Sequence, residues 1–463
     1  MSVNSLFDIG SRSLRAVNEQ MDATSQNIAN AESEGYRRRR VTLSSRSVAT
    51  TGLYTSNGAK DVTASGVGVE TFERVRDGML EAAGNDAQSG ESAAREEGRV
   101  LGVLEGALAT GTDASLSASL EGLFDGFSDL ANNPDSGGVR EALLGKARQL
   151  TDTFGRLDER LGKLTSNTED ALQGNVGQAN ELLNKVASLN EKIQNAEAGG
   201  SPDYAAEDTR DQTIKELSKL MPVEVQEDRS EGFTLTVDGM TVVQGTESTN
   251  LTLKGTNDPS VSTTVEFGDT GVAFEPGDEG GGEIGAQARL LGDTLPGVQN
   301  DLDALAGDVV QKVNGEHQSG FDQNGDTGEN FFDPSETTAG SIQLDSSIQG
   351  PSDIAAVAGD GSGNPLPGDT SPAQNIADLS ETLTPQATDL AANVGTQVQE
   401  AASKEEAQAA AGERIQAQIE DVSGVSIDQQ MSNLIEQQQA FAASARVLTT
   451  ARQVTDTLLS IAR

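Results

Sequence analysis

One histidine, a short run of acidic and amide side chains, and four consecutive arginines are the residues of this chain whose types could do chemistry. His317 stands alone, because the chain holds no cysteine and no second histidine. Disulfides, thiolate nucleophiles, cysteine-based zinc sites and paired-histidine relays are thereby excluded. A lone imidazole with no Ser–Asp partner nearby is assigned a structural role rather than acid–base catalysis. Asp322, Asn324, Asp326 and Asp333 invite comparison with a calcium loop, which wants glycine at position six and glutamate at position twelve. Thr327 and Asp333 hold those places here, and Gly325 arrives early. The four side chains are expected instead to fold the loop back on itself through Asx turns. The arginines, Arg37 to Arg40, could meet phosphates. The chain around them carries 73 acidic and 32 basic residues, a net charge of −41, and would repel nucleic acid. The run is expected to pair with carboxylates, of a neighbouring subunit in preference to its own chain. No arrangement of groups suggests a reaction, a metal or a cofactor, so the chain reads as a non-enzyme.

The same charge balance keeps a protein soluble while opposing its compaction, and salt would relieve that repulsion. A high-salt habitat fits it, as does an ordinary acidic secreted protein. Aromatic residues make up 3% of the sequence, with no tryptophan, so cores must be filled by Leu, Val, Ile and Ala at helix seams. No apolar run reaches the roughly 18 residues of a membrane span, and the first twenty residues lack the basic start and apolar stretch of a secretory signal. The chain is expected in the cytoplasm or exported without a cleaved signal.

The elements are legible from periodicity. Leu14, Met21 and Ile28 recur at seven with Val17 between, predicting an amphipathic helix that stops near Gly35. The last forty residues repeat this design: Ile427, Leu434, Phe441 and Leu448 recur at seven with Met431 and Ala445, then Val447, Val454 and Ile461 with Ala451 and Leu458. Such stripes at both ends predict terminal helices that pair, each marginal alone. Residues 41 to about 80 read as short strands and turns, and 85 to about 220 as long helices with Leu143, Leu144, Leu150, Leu157, Leu161 and Leu164 at helical spacing. FTLTVDGMTVVQG alternates apolar and polar residues about Asp238-Gly239, a hairpin signal. Helix returns over 283–316 and 376–420, separated by a segment rich in Gly, Asp, Ser and Pro whose stretch 359–372 reads as an exposed loop. The predicted fold class is α+β: paired terminal helices (1–40 and 421–463), an elongated, mainly helical domain (41–220 and 283–420), and a small β insertion domain (221–282) at the distal end.

Several stretches together resemble the FlgK family of flagellar hook-associated proteins. SQNIANAESEGYRRRRV resembles the signature of axial proteins, with Asn27, Asn30, Gly35 and Tyr36 on its positions. SDLANNPDSGGVREALLGK, VASLNEKI, DTRDQTIKELSKLMPVEV and VNGEHQSGFDQNGDTGENFF resemble segments of the junction protein, and the final helix resembles the closing helix of the wider axial family. The short stretch 221–282 implies that the extra outer domain of larger members is missing. The resemblance implies an adaptor between hook and filament, joining a flexible universal joint to a stiff tube and carrying out no reaction. It implies export through the flagellar type III channel to the cell exterior and self-assembly into a ring through the terminal helices. Implied partners are the hook protein and the second junction hook-associated protein, with no nucleic acid and no membrane. Leu14, Met21, Ile28, Ile427, Met431, Leu434, Phe441, Leu448 and Leu458 are the expected assembly seam. Its C-terminal part, uncovered before assembly, is expected to bind an export chaperone. Alternatives are a hook or distal-rod protein, or an acidic extracellular ion-dependent binding module.

Overall fold

A computed structural model describes residues 3–33, 35–49, 62–108, 115–228, 232–255, 264–268, 270–274, 281–366 and 368–461. These form two compact units, one from Met1–Asn85, Lys185–Lys215 and Ala410–Arg463, the other from Asp86–Asn184 and Glu216–Ala409. In chain order the elements are α1 (Val3–Ala29), a hairpin of β1 (Arg39–Ala49) and β2 (Val62–Arg74), then α2 (Gly78–Leu108), α3 (Leu116–Asn132), α4 (Gly137–Ala198) and α5 (Tyr204–Leu220). A β region follows, β3 (Glu224–Asp228), β4 (Gly232–Val237), β5 (Met240–Gln244), β6 (Glu247–Ser248), β7 (Leu251–Lys254) and β8 (Thr264–Phe267). The chain returns to helix in α6 (Gly282–Arg289) and α7 (Leu295–His317), passes the short strands β9 (Gly320–Phe321) and β10 (Val357–Ala358), and ends in α8 (Ser371–Asp378), α9 (Ser380–Ser423) and α10 (Ile427–Ile461). The fold is α+β, with helix dominant and every named strand pair antiparallel. Among the described residues no helix is long and apolar enough to cross a membrane.

In the first unit α1 and α10 lie antiparallel. Ser13 Oγ meets Ser444 Oγ at 2.9 Å, Gln437 Nε2 donates to Thr24 Oγ1 at 3.0 Å, and Asn27 Nδ2 donates to Gln430 Oε1 at 3.2 Å, so advancing along one helix means retreating along the other. Gly10 fixes the closest approach, since a Cβ there would stand 2.9 Å from Cγ and Cδ2 of Leu448. The short strands predicted after residue 41 are one long hairpin. Its register runs from Arg39↔Arg74 to Ala49↔Val62, and bulges at Thr42/Leu43 and Ser45/Ser47 break the alternation that would have marked two long strands.

In the second unit the leucine stripe of α4 is the core. Leu143, Leu144, Leu150, Leu157, Leu161 and Leu164 are all buried, as are Leu302, Leu305, Val309, Val310 and Val313 of α7. The β region hangs on two hairpin arrangements: a four-stranded sheet in the order β3-β4-β5-β6 and the pair β7-β8. Asp238 and Gly239 both take positive φ, 50° and 73°, between the paired residues Val237 and Met240. That is the two-residue turn whose twist suits a hairpin. The Gly/Asp-rich segment after α7 has few regular elements yet anchors itself, burying Phe331, Phe332, Ile354, Ala355 and Ala356.

Candidate assembly surface

The face of α10 turned to α1 is made largely of small and polar residues, with Leu448 at the point of closest approach. Gln430 and Ala451 are buried, and Gln437, Ser444 and Leu448 lie on the same line of the helix. At about 100° per residue, Ile427, Met431, Ile435 and Phe441 fall on one flank of that line and Val447, Val454, Leu458 and Ile461 on the other. All eight are exposed, Leu458 at 53% and Ile435 at 53%. A helix in water does not ordinarily leave two apolar flanks open. The arrangement suits a helix with further partners to either side.

The nine residues expected to form the seam divide accordingly. Ile427, Met431, Phe441 and Leu458 are exposed, whereas Leu14, Met21, Ile28, Leu434 and Leu448 are half-buried within the unit. Leu448 sits against Gly10. Ile435, outside the heptad stripe, and Val454 and Ile461, within it but not among the nine, share the open flanks, because a heptad pattern marks residues that need burial without saying what buries them.

The signature residues hold the turn after α1. Asn27 is buried, and its carboxamide makes four bonds: Nδ2 donates to Arg39 O at 2.9 Å and to Gln430 Oε1 at 3.2 Å, while Oδ1 accepts from Tyr36 Oη at 2.9 Å and Arg39 N at 2.9 Å. One side chain thus ties α1, the start of β1 and α10 together. Asn30 Nδ2 donates to Gln26 O at 3.0 Å. Gly35 takes φ 78°, and Gln212 would stand 3.3 Å from a Cβ there. Burial pushes the Tyr36 phenol above its ordinary pKa, against the pull of Arg39.

The arginine run, expected to favour a neighbouring subunit, is engaged within its own chain. Arg37 Nε reaches Glu81 at 3.2 Å, Arg38 donates to Val422 O at 3.1 Å, and Arg40 lies 3.4 Å from Glu73. Arg39 lies 3.7 Å from Asp208 and stacks on the rings of Tyr36 and Tyr204, each 5.2 Å away. Behind it Arg74, nearly buried, meets Glu207, Asp208 and Asp211 at 2.5, 2.8 and 2.8 Å. Burial raises the Glu207 and Asp208 carboxyls while Arg74 pulls them down. The sequence hid this because the carboxylates come from α5, far along the chain.

His317 is a buried staple. Its Nδ1–H donates to Glu329 O at 2.6 Å and its Nε2 accepts from Ala355 N at 2.9 Å, which leaves the ring neutral. Burial lowers its pKa to about 4. Arg140, unremarked in the sequence, is the other staple: buried, it donates to the carbonyls of Pro134, Pro351 and Ile354 at 2.8, 3.3 and 2.5 Å. In the calcium-like loop, Asp322 Oδ1 accepts from the amides of Asn324 and Asp326 at 2.9 and 2.8 Å. Asp333 Oδ1 accepts from Ser335 N at 3.0 Å. These are the expected Asx turns. Among the described residues no three potential metal-binding side chains cluster.

Residues 101–332 match the family described as flagellar hook-associated protein FlgK helical domain. The chain belongs to the FlgK family. Residues 418–461, which include all of α10, match a second family, the C-terminal region of flagellar basal body rod proteins FlgE, FlgF and FlgG. The chain is similar to flagellar hook-associated protein 1 of Bacillus subtilis, 27% identical with 97% of this chain and 96% of that protein covered. It is likewise 27% identical to flagellar hook-associated protein 1 of Escherichia coli, with 71% of this chain and 60% of that protein covered. Among solved structures, the flagellar hook junction protein FlgK of Burkholderia pseudomallei aligns over 56% of this chain and 46% of its own, at 23% identity and a TM-score of 0.48.

Proposed function

We propose that this chain is a structural, non-catalytic adaptor at the junction of flagellar hook and filament. The observation that carries the reading is α10: a helix matched to the axial proteins, held to α1 by a polar seam, with both apolar flanks uncovered. Copies of the chain pack through those flanks into a ring, a heterologous contact in which different patches of identical subunits meet. Residues 1–40 and 421–463 line the inner tube, and the helical and β parts lie outside it. The hook protein abuts one face and the second junction hook-associated protein the other. The chain reaches this place by export without a cleaved signal. Before export a chaperone covers α10, and undiminished chaperone binding by a chain lacking residues 425–463 would remove that part of the reading. Family membership over 101–332 favours the junction over the hook or distal rod.

The test is a strain lacking this chain. The adaptor reading expects complete hooks, no attached filaments and flagellin in the medium. Missing hooks would move the protein lower in the axis, and normal motility would overturn the reading.

A further inference from the structure

Between α1, the start of β1 and α10 the first unit opens a cleft of about 650 Å³, whose lining includes Arg38, Arg39, Arg40, Asn433, Glu436 and Gln437. Three arginines and one carboxylate, Glu436, thus line it, in a chain whose net charge is −41. Their donors are incompletely used. The Nε groups of Arg38 and Arg39 are buried without a hydrogen-bond partner among the described residues, as is the acceptor Gln437 Oε1. Arg40 is two-thirds exposed and holds Glu73 only at 3.4 Å. A buried guanidinium N–H left unpaired is costly, and the group that matches a guanidinium fork is a carboxylate.

We propose that this cleft receives a carboxylate-bearing segment from a second copy of the chain, so that the site is complete only in the assembly. The inference rests on the assembly reading above. Asn433, Glu436, Gln437 and Ala440 of α10 line the cleft, so a copy seated against α10 would bring its surface to it. With 73 acidic residues, that surface supplies carboxylates. Subunits so strongly alike in charge repel one another, and a basic cleft is the place where that repulsion is locally reversed. The partner segment would also bring a backbone N–H for Gln437 Oε1.

Arg40→Lys keeps the charge and introduces an amine that a zero-length carbodiimide joins to a touching carboxyl. Flagella are isolated from cells whose only copy carries this change, cross-linked, and the gel-purified dimer band of this chain is mapped by peptide mass spectrometry. The expected result is a bond between position 40 and an Asp or Glu of a second copy, lost when the variant is Arg40→Gln. If position 40 is joined only to Glu73 within monomers, or to a different flagellar protein, the inference fails and the adaptor reading stands. If the chain is absent from isolated flagella, the adaptor reading fails first.

Discussion

Phe331 and Leu458 are both large and apolar, yet one is fully buried and the other 53% exposed. Phe331 lies 5.2 Å from Phe127, 5.0 Å from Phe332 and 5.3 Å from the ring of His317, beside the buried and hydrogen-bonded Asn314 and His317. Leu458 lies on a helix that meets α1 through side-chain hydrogen bonds of Gln430, Gln437 and Ser444 and through Leu448 against Gly10. The second unit puts apolar surface to work on its own stability. The α1–α10 pair uses polar bonds to set register and leaves apolar surface uncovered. Polar seams of this kind are weaker but specific, since each bond is lost if the helices slide.

The comparison breaks if the two regions respond alike to substitution. The largest effect is expected at the aromatic cluster: Phe331→Ala should cost about 3–5 kcal/mol in urea unfolding, and an equal cost for Phe441→Ala would erase the distinction. Next is the acid sensitivity of the second unit. His317 has a folded pKa lowered to about 4 from 6.5. A depressed histidine pKa means the unfolded chain takes up the proton first. Its contribution is therefore neutral above pH 6.5, and stability falls as pH drops from there toward 4, by about 3 kcal/mol in all. The imidazole resonances of this single histidine should not titrate between pH 8 and 5 in the folded chain, and should titrate normally in urea. A folded-state midpoint near the ordinary value would contradict the staple. Smaller again is Gly10→Ala, which sets a Cβ 2.9 Å from Leu448. A cost of about 1–3 kcal/mol is expected, seen as faster amide exchange in α1 and α10 with α4 unchanged. Smallest is the effect of Leu458→Asp on the free chain, within about 0.5 kcal/mol by urea unfolding, because the residue is more than half exposed there.

Much of this was legible beforehand. Leucine spacing gave α4 and α7, and Asp238-Gly239 gave the β4–β5 turn, because helical periodicity and left-handed turn residues are local properties. The family signature is legible but its mechanics are not: the bond from Asn27 to Gln430 spans 403 residues of chain, and its bonds to Tyr36 and Arg39 depend on how the turn after α1 folds back. Arg140 was invisible for the same reason, its carbonyl partners Pro351 and Ile354 lying far downstream. The arginine run is expected from the sequence to pair with carboxylates, and those it meets, Glu81, Asp208 and Glu73, belong to its own chain rather than to a neighbouring subunit. On α10 the apolar residues were identified, while the polar line facing α1 was overlooked, since Gln and Ser at helical spacing look like solvent-facing positions.

The open flanks of α10 are the central claim, and the most direct measurement is made in cells whose only copy carries Ile435→Asp together with Leu458→Asp. Hooks bearing filaments are counted by electron microscopy, and the variant chain is recovered and checked for folding by circular dichroism. The account predicts a folded variant and few or no filament-bearing hooks. A folded variant with the wild-type number of filaments would contradict it.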